Sequence, residues 1–248
     1  MKKKITIIFL LFLITFLGIF IFLKLSVNGA EDNIFNTNWR YKFARYKIFR
    51  KTLSLHYDGD ARSDYLGKKQ SEITLKVVLM EGLYFDQDIL IMVGKKIQEI
   101  TGKPTLISYA VKKIPFSQES KLSDLATSLQ EVRSYESGLD RAMIFLVIAN
   151  QNEMEPSNIG STLQEDGLVF FEGDINKSYS QEGDIQSYQQ YAVSVLMHEF
   201  GHQLGLPHNE LEGCLMNKQL EINAQEKREK ISIDFCEQEK KAIKNMQI

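Results

Sequence analysis

His198-Glu199-Phe200-Gly201-His202-Gln203-Leu204-Gly205-Leu206-Pro207-His208 is the stretch from which the rest of the chain is read. Residues four apart lie on one face of an α-helix, about 6 Å apart along its axis, so His198 and His202 offer two imidazoles to one ion. Glu199 sits about 100° further round, beside that ion rather than aimed at it, where a carboxylate can hold an activated water. Gly205 is the residue type that takes the left-handed conformation at a helix end. Pro207 discourages the helix from continuing, so His208 can turn back as a third ligand. Three neutral histidines and one open position are the donor set of a hydrolytic zinc site; a structural zinc is closed by four protein ligands. Three of the chain's four histidines lie here, and a helix with merely packed histidines would not require an acid and a glycine at these places.

These eleven residues, followed by Met216, resemble the motif of the metzincin metalloproteases, in which the methionine lies in a tight turn beneath the metal. Within metzincins the sequence is most similar to the archaemetzincins. Their motif continues past the third histidine with a cysteine, four residues, another cysteine, any residue and the methionine. A Cys-x-x-Cys pair follows further on, and the four cysteines hold a second, structural zinc. Here Asn209 stands at the first cysteine position, Cys214-Leu215-Met216 matches, and Cys236-Glu237-Gln238-Glu239 carries Glu239 at the last. Two of the four ligands are replaced, so one catalytic zinc is expected and a second is not. The likeness is close over 198–239 and looser, in the order of elements, over 72–245. It implies an α+β, metzincin-like zincin. Such a fold has a mixed twisted sheet with helices, an active-site helix, and a small C-terminal subdomain with Met216 as apolar floor and a terminal helix.

Upstream of the motif, hydrophobic periodicity gives the same order of elements. Residues 73–84 and 105–111 read as strands, and 142–149, almost continuously apolar, as a buried strand. Residues 86–100 and 122–135 carry apolar residues at helical spacing, the first closed by Gly102 and Pro104. After a loop around Pro156 and Asn158, residues 167–171 read as a shorter return strand. In metzincins the strand before the active-site helix borders the cleft and pairs with an extended peptide; by resemblance that role falls within 160–172. The active-site helix is expected from an N-cap at Asp184 to Leu204, with Val193, Leu196, Met197, Phe200 and Leu204 as its core face. Gly201 reads as a close-packing position; Ser194 and Gln203 receive no role. Residues 227–230 are a solvated charge run, and 233–246 a final helix.

The N-terminus carries a second signal. Lys2-Lys3-Lys4 precedes an uncharged apolar run, Ile5 to Leu23, of 19 residues. That length crosses a bilayer and exceeds the apolar part of a usual signal peptide. The lysines stay cytoplasmic, placing the remainder on the extracytoplasmic side. A signal-anchor over 1–24 is therefore expected, with cleavage near Val27–Ala30 and secretion as the alternative. Residues 25–71 are read as a linker and a basic-aromatic juxtamembrane segment, and 72–248 as the peptidase domain. Between residues 39 and 51 six Lys and Arg alternate with Trp39, Tyr41, Phe43, Tyr46 and Phe49. One reading is a helix with a solvated basic face and an aromatic face packed on the domain, and this is the expectation. The other is a segment lying on lipid head groups. His56 reads as an ordinary surface or core histidine, and Asp58, Asp60 and Asp64 as part of a turn.

With 248 residues and 44% hydrophobic content the chain can build a sizeable core. A net charge of −2 argues for no nucleic-acid partner. The two cysteines allow a Cys214–Cys236 disulfide, a remnant zinc site with Asn209 and Glu239, or free thiols. Export favours the disulfide, whose loop is worth about 3 kcal/mol in the chain-entropy model. The expected activity is hydrolysis of peptide bonds by a zinc-activated water, with Glu199 as general base on a peptide or protein substrate. A catalytically silent, zinc-containing binding protein on the same scaffold is the alternative. Endopeptidase and aminopeptidase action are both open.

Overall fold

A computed structural model of the protein describes residues 2–30, 33–135, 141–154, 159–173, 185–218 and 232–247. The chain opens with α1 (Lys2–Val27), followed by three short helices: α2 (Ile34–Asn38), α3 (Arg40–Ala44) and α4 (Lys47–Leu53). After α5 (Arg62–Leu66) come β1 (Ile73–Leu79), α6 (Gln87–Thr101), β2 (Thr105–Tyr109), α7 (Leu122–Tyr135) and β3 (Ala142–Ala149). Then follow β4 (Gly160–Leu163), β5 (Gly167–Phe171), α8 (Ile185–Gln203) and α9 (Glu237–Met246).

The five strands form one mixed sheet in the order β2-β1-β3-β5-β4. β3 is central, parallel to β1 and to β5, and its residues alternate between two cores. Ile144, Leu146 and Ile148 meet the core shared with α6 and α8, and Phe145, Val147 and Ala149 meet the one beneath α7. A strand covered on both faces has no polar side, which is why its sequence is an unbroken apolar run. α6 is bounded as its chemistry dictates: the Asp86 carboxylate accepts the Asp88 N–H, and Gly102 closes the helix with φ +71.

The strand expected over 167–171 is present with those bounds as β5, but a further strand precedes it. β5 runs parallel to β3 and is buried between β3 and β4; the antiparallel edge strand is β4, which the sequence had not distinguished from loop. Four residues containing a glycine and two hydroxyls give too short an alternation to register. The aromatic face of residues 39–51 is corrected. Trp39, Tyr41, Tyr46 and Phe49 are exposed, and the small cluster there is built on Val27, Phe35, Ala44, Leu53 and Leu55. The stretch is broken into two helices at Arg45 and Tyr46, so no single face persists long enough to pack. Residues 34–38, within the expected linker, form a helix capped by Asn33. The expected N-cap Asp184, the loop residues Pro156 and Asn158, and the charge run 227–230 lie outside the described residues.

α5 ties the N-terminal helices to the main core: Tyr65, fully buried, packs against Phe200 of α8 with ring centroids 5.8 Å apart. Two buried ion pairs reinforce that junction, Arg40 with Asp60 and Arg50 with Asp64. Two of the three aspartates of the expected turn, Asp60 and Asp64, are thus partners of arginines across the junction.

Candidate metal centre and active-site cleft

α8 ends in a Schellman arrangement. The Gly205 N–H donates to the His202 carbonyl (2.8 Å), the Leu206 N–H reaches back to the Gly201 carbonyl (3.0 Å), and Gly205 takes φ +87. That reversal brings His208 over the last turn of the helix. The Nε2 atom of His208 then lies 3.0 Å from Nε2 of His198 and 3.0 Å from Nε2 of His202. The other ring nitrogens fix the tautomers: Nδ1–H of His198 donates to the Leu215 carbonyl (2.7 Å), and Nδ1–H of His202 to the Leu206 carbonyl (2.9 Å). A carbonyl only accepts, so the proton sits on Nδ1 and the Nε2 lone pair is turned inward. Lone pairs held this close repel one another unless a cation lies among them. The three histidines could hold a metal ion, and three imidazoles fit zinc. His198 is buried, His202 half-buried and His208 exposed, which leaves the outer side of the group open to solvent.

Glu199 is buried beside this group, against the edge strand. A Cβ added at Gly160 would stand 3.2 Å from Glu199 Oε1 and 2.5 Å from Val195 Cγ1, so only glycine lets β4 approach this closely. Gly160 was missed in the sequence; a strand-opening glycine is its only signal. Gln203, given no role above, holds the β4–β5 turn to α8, its Nε2 donating to the carbonyls of Gln164 (2.8 Å) and Gly167 (2.9 Å). Ser194 donates to the Ser232 carbonyl and so ties α8 to the C-terminal segment. Beyond Leu163 the end of β4 meets residues 56–60. Asp58 hydrogen-bonds with Thr162, and burial pushes its carboxyl above the usual range. His56 pairs with Glu165 (2.9 Å), an interaction that raises the imidazole pKa. Burial raises the neighbouring Asp166 to about 6 even though Arg133 pairs with it.

Beneath the three histidines, Met216 and Phe235 pack on Gly201 of α8; an added Cβ there would overlap Met216 Sδ. Leu215 and Met216 are held by a buried carboxylate: Glu239 accepts from the backbone N–H of Leu215 (3.2 Å), Met216 (2.8 Å) and Cys236 (2.9 Å) and from the side-chain amide of Asn209 (2.8 Å). Cys214 and Cys236 are joined as a disulfide. The four positions that match the archaemetzincin cysteines therefore do meet in space, as Asn209, Cys214, Cys236 and Glu239. Residue spacing alone could not show that Asn209 and Glu239 bond to each other.

The Matrixin family model matches residues 113–246, from the loop before α7 to the end of α9. No curated protein matches the chain. Among solved structures, the archaemetzincin of Methanopyrus kandleri superimposes with a TM-score of 0.51 at 18% identity, over 73% of this chain and 98% of that one. The malonate complex of the archaemetzincin of Archaeoglobus fulgidus gives a TM-score of 0.44 at 12% identity, over 68% and 97%. Metalloproteinase-II from Bacteroides fragilis gives 0.35 at 12% identity, over 73% and 64%. The M. kandleri match shows the fold, the family match covers more than half the chain, and the chain belongs to the matrixin family, as a metzincin-type zinc metallopeptidase with an archaemetzincin-like fold.

Proposed function

We propose that the protein is a membrane-anchored, extracytoplasmic peptidase that binds one zinc on His198, His202 and His208 and uses Glu199 as general base. The observation that carries this reading is the convergence of the three Nε2 atoms, each of two rings oriented by a backbone carbonyl, beside a buried carboxylate. Bound there, zinc supplies Lewis acidity, lowering the pKa of water and polarising a peptide carbonyl. The protein's own groups do the rest. Glu199 takes the proton of the attacking water on a carboxylate oxygen and returns it to the amide nitrogen that departs. The edge of β4 aligns the substrate as an added strand, which brings the scissile bond past Gly160 and so beside Glu199. Asn209, Cys214, Cys236 and Glu239 serve as a metal-free brace for the Met216 turn, so a second zinc is not part of the reading.

Anchoring is supported by residues 6–27, a helix long and apolar enough to cross a membrane, exposed throughout residues 6–19. The test is zinc content per chain of the full-length protein in detergent, with digestion of a mixed peptide library. One zinc per chain with cleavage, and one zinc without cleavage for Glu199→Gln, are expected. Zinc retained in the natural protein without any cleavage would replace this reading by that of a silent binding protein, and two zincs would overturn the metal-free brace.

A further inference from the structure

We propose that α2, α3 and α4 form a platform whose exposed aromatic and basic side chains lie on the anionic headgroup surface of the bilayer that α1 crosses. This rests on the reading of α1 as a membrane span.

Continuity is the first argument. Phe20 and Leu23 belong to the apolar helix, yet they pack on the cluster formed by Val27, Phe35, Ala44, Leu53 and Leu55. The last carbonyls of α1 are bound by the layer as well: Asn33 Nδ2 donates to the Ser26 carbonyl (2.7 Å), and Asn36 Nδ2 reaches the carbonyls of Ser26, Val27 and Ala30. An apolar helix of this length ends at the boundary between hydrocarbon and head groups. A layer docked on its last two turns is held at that same depth.

Surface chemistry is the second. Between Asp32 and Asp58 the chain has six Lys and Arg and no acidic residue. Arg40 and Arg50 are turned inward onto Asp60 and Asp64, while Lys42, Arg45, Lys47 and Lys51 are exposed. Beside them stand Ile34, Trp39, Tyr46, Ile48 and Phe49, with Ile34 at 75% and Ile48 at 68% exposure. Large apolar and aromatic side chains interleaved with cations suit the interface: rings sit at headgroup level and cations meet anionic lipid.

The platform is also continuous with the metal centre. Arg40 grips Asp60 through two hydrogen bonds (2.6 and 2.9 Å), and Gly59 lies so close to Gly205 that an added Cβ would stand 2.9 Å from its Cα. Seating the platform therefore sets the height and tilt of the turn that carries His208.

Trp39 is the only tryptophan, so its fluorescence reports on the platform directly. Full-length protein is reconstituted in vesicles of phosphatidylcholine with phosphatidylglycerol, with and without lipids brominated near the headgroup end of the acyl chain. Quenching of Trp39 emission by at least about twofold is expected. The same measurement on Trp39→Phe/Phe12→Trp monitors α1 by itself. An unquenched Trp39 beside a quenched Trp at position 12 would overturn the platform and leave the anchor standing. No quenching of either would overturn both. Reversal of charge in Lys42→Glu/Arg45→Glu/Lys47→Glu/Lys51→Glu, or vesicles of phosphatidylcholine alone, should weaken the Trp39 quenching. Quenching that is equal in neutral and anionic vesicles would overturn the role of anionic lipid.

Discussion

Among the described residues, two groups of side chains have the residue types of a metal site, and they are built with opposite polarity. At His198, His202 and His208, two backbone carbonyls draw the ring N–H groups outward and leave nitrogen lone pairs facing one another. At Cys214, Cys236 and Glu239, a bond joins the two sulfurs and four N–H groups point at the carboxylate. Both groups place their potential ligand atoms within 4.8 Å of one another. The difference teaches that proximity of ligand atoms does not make a metal centre. What matters is whether the surrounding donors face the ligand atoms or turn them toward a shared point. The first group suits a cation, whereas the second already supplies what the carboxylate needs.

The sharpest way to break the comparison is to remove one ligand from each group. His202→Ala should reduce bound zinc from one per chain to none and abolish peptide cleavage, while Cys214→Ser/Cys236→Ser should leave zinc content unchanged. Metal analysis of the two proteins decides it, and zinc lost from the cysteine variant would make the second group a metal site after all. Glu199→Gln comes next: zinc stays, and kcat should fall by roughly 10²–10⁴, as expected when a general base is lost. Cleavage at the natural rate by that variant would remove Glu199 from the chemistry.

A smaller effect sharpens the other side of the comparison. Glu239→Ala leaves buried N–H donors at Leu215 and Met216, and a partly buried one at Cys236, without their acceptor, which costs about 2–4 kcal/mol in unfolding free energy. Denaturant titration measures it. Glu239→Gln, which keeps one acceptor oxygen, should recover part of the loss. If Glu239→Ala were as stable as the natural protein, the carboxylate would not be the brace of the Met216 turn.

The smallest effect concerns the His56–Glu165 pair beside β4. His56 is raised above its ordinary 6.5 by its bond to Glu165, and Glu165 is lowered below 4.5. Burial, the largest influence on Glu165, acts in the opposite direction and is outweighed by His56 and Arg133. The pair's contribution is therefore fully present between these two ordinary values. It is lost above them as pH climbs through the folded pKa of His56, and below them as Glu165 protonates. His56 is partly exposed, so the shift in Tm is small. The difference in Tm between the natural protein and His56→Gln should shrink as pH rises from about 6 to 9. Taking that difference separates the pair from Asp166, whose raised pKa also makes stability decline with rising pH. A difference independent of pH would show that the pair does not titrate as described.

Much of the fold was legible because periodicity and punctuation agreed. The bounds of α7 and β3 follow from apolar spacing, and α6 from Asp86 and Gly102. The edge strand β4 was not legible. Its pairing with β5 comes from the chain's return over four residues, too few to alternate visibly. Gly160 and Gln203 were overlooked for a related reason, since their partners lie 35 to 39 residues away in sequence and only packing brings them together.

By itself the sequence determined that a histidine group, a carboxylate and a helix-ending glycine share one short stretch, because helical geometry places neighbours four apart without help from the rest of the chain. It also determined an apolar N-terminal helix, because length and hydropathy are local quantities. The tertiary structure alone decided which nitrogen of His198 and His202 faces inward, since the carbonyls of Leu206 and Leu215 that hold Nδ1 are set by the Gly205 turn and by the Glu239 brace. It decided as well that Arg40 and Arg50 turn inward while the aromatics beside them stay exposed. Asp60 and Asp64 compensate two of the six charges of that basic segment, while Trp39, Tyr46 and Phe49 keep exposed rings.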